Sequence, residues 1–194
     1  IKLFKGGFST GHGVIREPQG IQSYAALAAI AIQSNQNDQH GGQSIPNFDY
    51  GLAEGVAKTF AKLYKIRLTE ALEDALESDN EADVISEILE KAKESTGDKP
   101  RLERNEEKFD TYVIEELIGR CGLDYHTAKH VVSTTRRRAT KQTEHETYQA
   151  MEGFVHNLNT MHSRAGAQTP FSSINYGTDT SPEGRMIIRN VLLA

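Results

Sequence analysis

The stretch that decides the fold is Ser163-Arg164-Ala165-Gly166-Ala167-Gln168-Thr169-Pro170-Phe171-Ser172-Ser173-Ile174-Asn175-Tyr176-Gly177-Thr178-Asp179-Thr180. Its centre, Thr169 to Tyr176, is short and rich in β-branched and aromatic residues, and it predicts a strand in a chain otherwise patterned for helices. Thr180-Ser181-Pro182-Glu183 then reads as a helix start. It supplies a hydroxyl cap, a proline in the first turn and an acid favoured by the helix dipole. Arg185 to Leu193 is the helix that follows. Gln168, Ser172, Ser173 and Asn175 set hydrogen-bonding side chains among apolar ones on a mostly buried element. In a closed barrel one face of each strand points inward, and polar groups there serve a ligand or an internally satisfied network. An edge strand of ordinary Ser and Thr content would look the same, so this stretch alone leaves both readings open.

The second unusual block lies at the other end of the chain. Gly6, Gly7, Gly11 and Gly13 mark a turn-rich loop, with room for a short strand nearby. Pro18 sits near a helix start. Ile21 to about Gln39 is Ala-rich and helical, with Ile21, Leu27, Ile30 and Ala31 as its apolar positions, and Gly41-Gly42 stops it. Gln33, Asn35, Gln36, Asn37, Gln39 and His40 crowd its end, and buried amides are costly unless each finds a partner. His40, Gly41, Gly42, Gln43 and, after Phe48, Asp49 therefore read as parts of a polar pocket or interface. A solvated helix end with a glycine cap is the competing reading.

Between the blocks the pattern is helical. Residues 50–78 predict a helix with Val56, Phe60, Leu63 and Leu68 inward, and 80–95 an acidic amphipathic continuation. Gly97-Asp98-Lys99-Pro100 breaks the pattern, and the region from about 78 to 105 reads as a surface insertion, since its charge alternation needs only a solvated face. A short helix spans 104–119 and stops at Gly122. Residues 125 to about 162 form one long helix. It carries Arg136-Arg137-Arg138, read as a solvated, salt-bridged face with Glu144 and Glu146, or else as a phosphate contact. His126 and His130 have the spacing of a two-histidine zinc face, but no third ligand follows, so no metal site is assigned.

Composition limits the function classes. The chain has 194 residues, 37 % hydrophobic and 25 % charged, with a net charge of −5. That is enough for one domain with a core, and 1–194 reads as a single unit. The acidic balance offers no general nucleic-acid surface, and no apolar run approaches the roughly 18 residues of a membrane span. A single cysteine, Cys121, excludes a disulfide framework and fits a reducing, cytoplasmic setting. The chain starts at Ile1 and stops at Ala194 inside a helical pattern, which reads as an excerpt of a longer polypeptide.

The run from Arg164 to Arg185 resembles the anaerobic, oxygen-sensitive ribonucleoside-triphosphate reductases. So does Gly6 to Asp49, including His40-Gly41-Gly42-Gln43 and Phe48-Asp49, and the two occur in the family's order. The resemblance covers the whole chain, although 78–150 adds little to it. It implies a helix-rich α/β fold forming the first half of a ten-stranded glycyl-radical-enzyme barrel. It implies reduction of ribonucleoside triphosphates to their 2′-deoxy products by glycyl and thiyl radicals, with formate as reductant and zinc in a C-terminal tail. It also implies a homodimer, a radical S-adenosylmethionine activating enzyme as partner, and ATP or deoxynucleoside triphosphates as effectors. Lys62 matches an effector-site lysine, while Gln168, Ser172, Ser173 and Asn175 would line the barrel near substrate.

Departures from the family pattern limit what this chain does by itself. The glycyl-radical segment, the cysteine-rich tail and the active-site cysteines lie outside it. Cys121, in Gly119-Arg120-Cys121-Gly122, matches none of them, so no catalytic residue is assigned within these 194 positions. The alternative is a helical nucleotide-binding and dimerisation module without catalysis of its own.

Overall fold

The computed structural model describes residues 8–10, 13–38, 41–103, 106–160 and 171–194. Among them are six helices, α1 (Ile21–Asp38), α2 (Phe48–Leu76), α3 (Ala82–Thr96), α4 (Glu106–Cys121), α5 (Tyr125–Thr160) and α6 (Pro182–Leu193). Four short strands accompany them: β1 (Phe8–Thr10), β2 (Gly13–Ile15), β3 (Gln43–Ile45) and β4 (Ser172–Ile174). β1 and β2 pair antiparallel, Phe8 opposite Ile15. β3 and β4 pair parallel, in the register Gln43–Ser172, Ser44–Ser173 and Ile45–Ile174. The helix-rich α/β character expected from the sequence is present. The predicted strand is shorter than its pattern: Phe171, Asn175 and Tyr176 fall outside it, and Thr169 and Pro170 lie outside the described residues.

Contacts divide the chain into two compact units, 1–59 with 144–194, and 60–143. In the first, α1 buries Ile21, Tyr24, Leu27, Ala28 and Ile32, α2 buries Phe48, Leu52 and Val56, and α5 buries Met151 and Phe154. Phe48 and Phe154 meet with ring centroids 4.9 Å apart. Gly55 matters here because a Cβ would stand 2.8 Å from the Tyr24 ring, so α1 and α2 approach more closely than any larger residue permits. Ile30, one of the apolar positions of the helical pattern, is 47 % exposed. It lies two and a half turns beyond Ile21, on the side of the helix opposite the buried row of Ile21, Ala25, Ala28 and Ile32.

The second unit is helical. Phe60, Leu63, Tyr64, Leu68 and Leu72 of α2 contribute to its core. Ile85, Ile88 and Ala92 of α3, Phe109, Val113 and Leu117 of α4, and Ala128, Val132 and Ala139 of α5 complete it. α3 and α4 are packed neighbours. The helix ends follow local chemistry. Gly97 takes φ 80° and its N–H bonds the Lys93 carbonyl at 2.8 Å, closing α3. Asp124 caps α5, accepting from the amides of His126 at 2.9 Å and Thr127 at 3.2 Å and from the Thr127 hydroxyl at 2.6 Å. Ser181 caps α6 by accepting from the Gly184 amide at 3.1 Å.

Arg136 departs from the solvated face expected of the Arg136–Arg138 run. It is buried, and its guanidinium forks onto Asp110 with Nε–Oδ2 and Nη2–Oδ1 both 2.7 Å. Nη1 donates to the Arg101 carbonyl at 2.7 Å and the Leu102 carbonyl at 3.3 Å. The plane lies over the rings of Phe60 and Tyr64, 5.7 and 5.5 Å from their centroids. The Tyr64 hydroxyl also reaches Asp110 Oδ1 at 3.2 Å. Arg137 and Arg138 are exposed, so one arginine of three carries the structural role. A guanidinium suits this place because its planar donor fork satisfies a carboxylate and two carbonyls at once.

Removing one partner of a buried ion pair strands the other charge, at a cost of about 3–5 kcal/mol. We therefore expect Arg136→Ala to destabilise the chain by that amount, read from urea unfolding midpoints. Arg137→Ala should change stability by less than about 0.5 kcal/mol.

Candidate functional site

The parallel β3–β4 pair brings the two polar blocks together. The Gln43 N–H donates to the Phe171 carbonyl at 2.8 Å, the Asn175 N–H to the Ile45 carbonyl at 3.0 Å, and the Phe48 N–H to the Asn175 carbonyl at 2.8 Å. The chain then turns into α2. Asn47 enters it at φ 53°, a left-handed conformation that Asn tolerates better than most residues, and its carbonyl accepts from Gly51 at 2.9 Å. Asp49, in the first helical turn, is fully buried. Its Oδ2 accepts from the amides of Gly177 and Asp179, both at 2.9 Å, and its Oδ1 accepts from the Thr178 hydroxyl at 3.3 Å.

Burial alone would raise the Asp49 carboxyl, but the amides of Asp179, Gly177, Tyr50 and Asp49 itself outweigh it and hold the group below the usual carboxylate range. The hydrogen bonding continues along the chain. Asp179 Oδ1 accepts from the Ser181 amide at 2.8 Å, and Ser181 in turn caps α6. Gly184 lies under Asp179, where a Cβ would stand 2.6 Å from the Asp179 Cβ.

The expected pocket residues are placed as follows. Gly41 takes φ 104° and is exposed. Gly42 faces the Phe171 ring, which a Cβ would meet at 3.2 Å. Gln43 is buried, donates to the Gly41 carbonyl at 3.3 Å, and accepts from the Asn35 side-chain amide. Gln33 is buried and donates to the Asn157 carbonyl at 3.4 Å, and Gln36 is buried as well. Gln33, Gln36 and Gln43 are thus buried amides near the end of α1, while Asn35 is exposed and Gln39 lies outside the described residues. His40 lies outside the described residues, as does Gln168.

On β4 the expectation of a mostly buried strand needs correction. Ser172 is half-buried, and Ser173 and Asn175 are exposed, because only β3 borders this short strand among the described residues. Gly42, Gln43, Asp49, Ser172, Ser173 and Asn175 therefore gather along one seam. Lys62 is exposed on α2 within the second unit. His126 and His130 are exposed on α5, and no group of three or more potential metal ligands occurs among the described residues. Cys121 ends α4, half-buried, and burial pushes its thiol up. Among the described residues, no helix is long and apolar enough to cross a membrane.

Seam and helices together define a helix-rich α/β chain whose polar surface is assembled from two distant sequence blocks. The family model described as anaerobic ribonucleoside-triphosphate reductase matches residues 1–194. No match was found among curated proteins. The chain belongs to the anaerobic ribonucleoside-triphosphate reductase family.

Because Asp49 titrates lower when folded than when unfolded, the unfolded chain binds its proton more readily. Its contribution to stability is complete above the unfolded value of about 3.9 and fades as pH falls through the lower folded one. We expect Asp49→Asn to cost about 2–4 kcal/mol at pH 7. In urea titrations the gap to the parent chain should narrow between pH 5 and pH 3, both values chosen to bracket a carboxylate at about 3.9. A gap independent of pH would mean that the charge is not what matters.

Proposed function

We propose that this chain is part of an enzyme reducing ribonucleoside triphosphates to 2′-deoxyribonucleoside triphosphates by glycyl and thiyl radical chemistry, and that the β3–β4 seam faces the substrate. One observation carries the reading: the two blocks that resemble the family meet in a parallel strand pair that leaves Asn175 and Ser173 exposed beside it. Parallel strands need long crossovers, and the connection here runs through α2, α3, α4 and α5. In the proposed enzyme β3 and β4 are two of ten barrel strands, and Gln168, Ser172, Ser173 and Asn175 hydrogen-bond the nucleotide.

The radical groups do not fit the residues of this chain. Its single thiol closes α4 in the helical unit, and one cysteine cannot supply a zinc site of several thiolates. No radical or zinc step is therefore assigned to these 194 residues. The remainder of the proposed protein would supply the glycyl radical and zinc, formate would act as reductant, and a radical S-adenosylmethionine enzyme would activate it in the cytoplasm. What the seam can contribute is placement: neutral donors and acceptors that hold a ribose and its phosphates in register for hydrogen abstraction.

The effector reading rests on the second unit. It has its own apolar core, and Lys62 stands free of that core as a compact positive charge suited to a phosphate of ATP or a deoxynucleoside triphosphate at a homodimer interface. A module that only binds nucleotide and dimerises predicts that the isolated chain does both without the rest of the enzyme.

In the full-length enzyme, Asn175→Ala should lower turnover by about 100-fold, the scale for removing one positioned hydrogen-bonding group, with glycyl-radical content unchanged. Unaltered nucleotide affinity and turnover would sink the seam assignment. Lys62→Ala should weaken effector binding about tenfold, a loss near 1.4 kcal/mol, measured by calorimetry with dTTP or dGTP. An unchanged dissociation constant for every effector would remove Lys62 from the site.

A further inference from the structure

We infer that Asp49 is the positioning residue for Asn175: its carboxylate fixes the turn through which the Asn175 side chain is presented at the seam. This rests on the reading of Asn175 given above. Asn175 is the first residue beyond β4, so the ladder no longer holds it on its own. Its backbone is nevertheless occupied on both sides, the N–H by the Ile45 carbonyl at 3.0 Å and the carbonyl by the Phe48 N–H at 2.8 Å. Only its side chain remains to act, and the residue is exposed.

The segment after it, 176–180, has no regular structure. Left alone, such a segment would sample many conformations. It is held by Asp49, which takes the amides of Gly177 and Asp179 and the hydroxyl of Thr178. Gly177 makes the arrangement possible, since its φ of 101° is a conformation that side chains strain. The next constraint lies downstream, where Asp179 bonds the Ser181 amide and packs against Gly184. Asp49 sits one residue from the Phe48 amide that grips Asn175, so a single helix turn sets both the backbone of Asn175 and the path of the chain leaving it.

The carboxylate is specific to this task. One oxygen receives two N–H donors, and a side-chain amide placed there would either turn its own donors toward them or offer a neutral, weaker acceptor. A displacement of about 1 Å at a substrate-positioning group can cost up to about 100-fold in rate. Asp49 touches no substrate in this account, so its effect passes through Asn175.

The test uses the full-length reductase with its radical installed, comparing the parent, Asp49→Asn, Asn175→Ala and the double variant. Turnover and KM for a ribonucleoside triphosphate are measured alongside the glycyl-radical signal per polypeptide. The expected result is a loss of about 10-fold in kcat for Asp49→Asn with the radical signal intact. In the Asn175→Ala background the same change should bring no further loss, the signature of two residues acting through one contact. An equal loss in both backgrounds, or none in the parent, overturns the positioning role while leaving Asn175 in place. An Asn175→Ala enzyme that turns over normally overturns the reading beneath it instead. Should Asp49→Asn not fold, Gly177→Ala moves the same turn and leaves the carboxylate in place. A loss near 10-fold that vanishes in the Asn175→Ala background supports the assignment, and additivity or no loss refutes it.

Discussion

The arrangement depends on one buried charge. Asp49 is sealed from water at the start of α2, and a buried carboxylate is tolerated only where hydrogen bonds replace its hydration. Those bonds come from Gly177, Thr178 and Asp179, 128 to 130 positions away. The requirement thus works in both directions. The helix start buries its carboxylate against the distant turn, and the turn places two of its amides and a hydroxyl on that carboxylate. The β3–β4 pairing lies directly beside this contact, and three paired positions on each strand would be a weak ladder by themselves. Charge satisfaction converts that short ladder into a fixed register.

The second unit solves the same problem differently. Arg136 and Asp110 neutralise each other, and two carbonyls and the Tyr64 hydroxyl take up the remaining polar capacity. Such a pair contributes little net stability compared with well-packed apolar residues, because desolvation consumes most of the attraction. What it gives is selectivity of packing. Only one placement of α5 sets the Arg136 fork on Asp110 of α4 while stacking it over Phe60 and Tyr64 of α2. The apolar faces of these helices, rich in interchangeable Leu, Val and Ala, would accept several registers.

These two contacts also mark where the sequence stopped being legible. Helices could be read from periodicity and from their ends: Gly97, Gly122, the Ser181 cap and the inward Val56, Phe60, Leu63 and Leu68 all follow from local rules. The family followed from two long motifs in order. The Arg136–Asp110 pair could not be read, because an arginine among three arginines carries no mark of burial, and its partner is 26 residues away. The amide-rich end of α1 allowed a pocket or a solvated cap, and nothing local foretold that Asn35 would reach Gln43 or that Gln33 would reach the Asn157 carbonyl. Asp49 in a first helical turn reads locally as a dipole partner, and nothing local names the turn at 177–179 as its target.

A site built this way separates two duties that compete elsewhere. Backbone groups of Gln43, Ile45, Phe48, Phe171 and Asn175 bond to one another, and the Asp49 carboxylate holds the turn beyond them, so the seam is ordered without using the side chains of Ser173 and Asn175. Ser173 and Asn175 remain uncommitted at its surface, which is what a binding element needs and what a buried strand cannot offer. Had the order come from side-chain hydrogen bonds, every bond to a ligand would first have had to break one within the protein. Asp49 is out of contact with solvent, so in the proposed function its charge is kept from facing a triphosphate, which a surface carboxylate would repel.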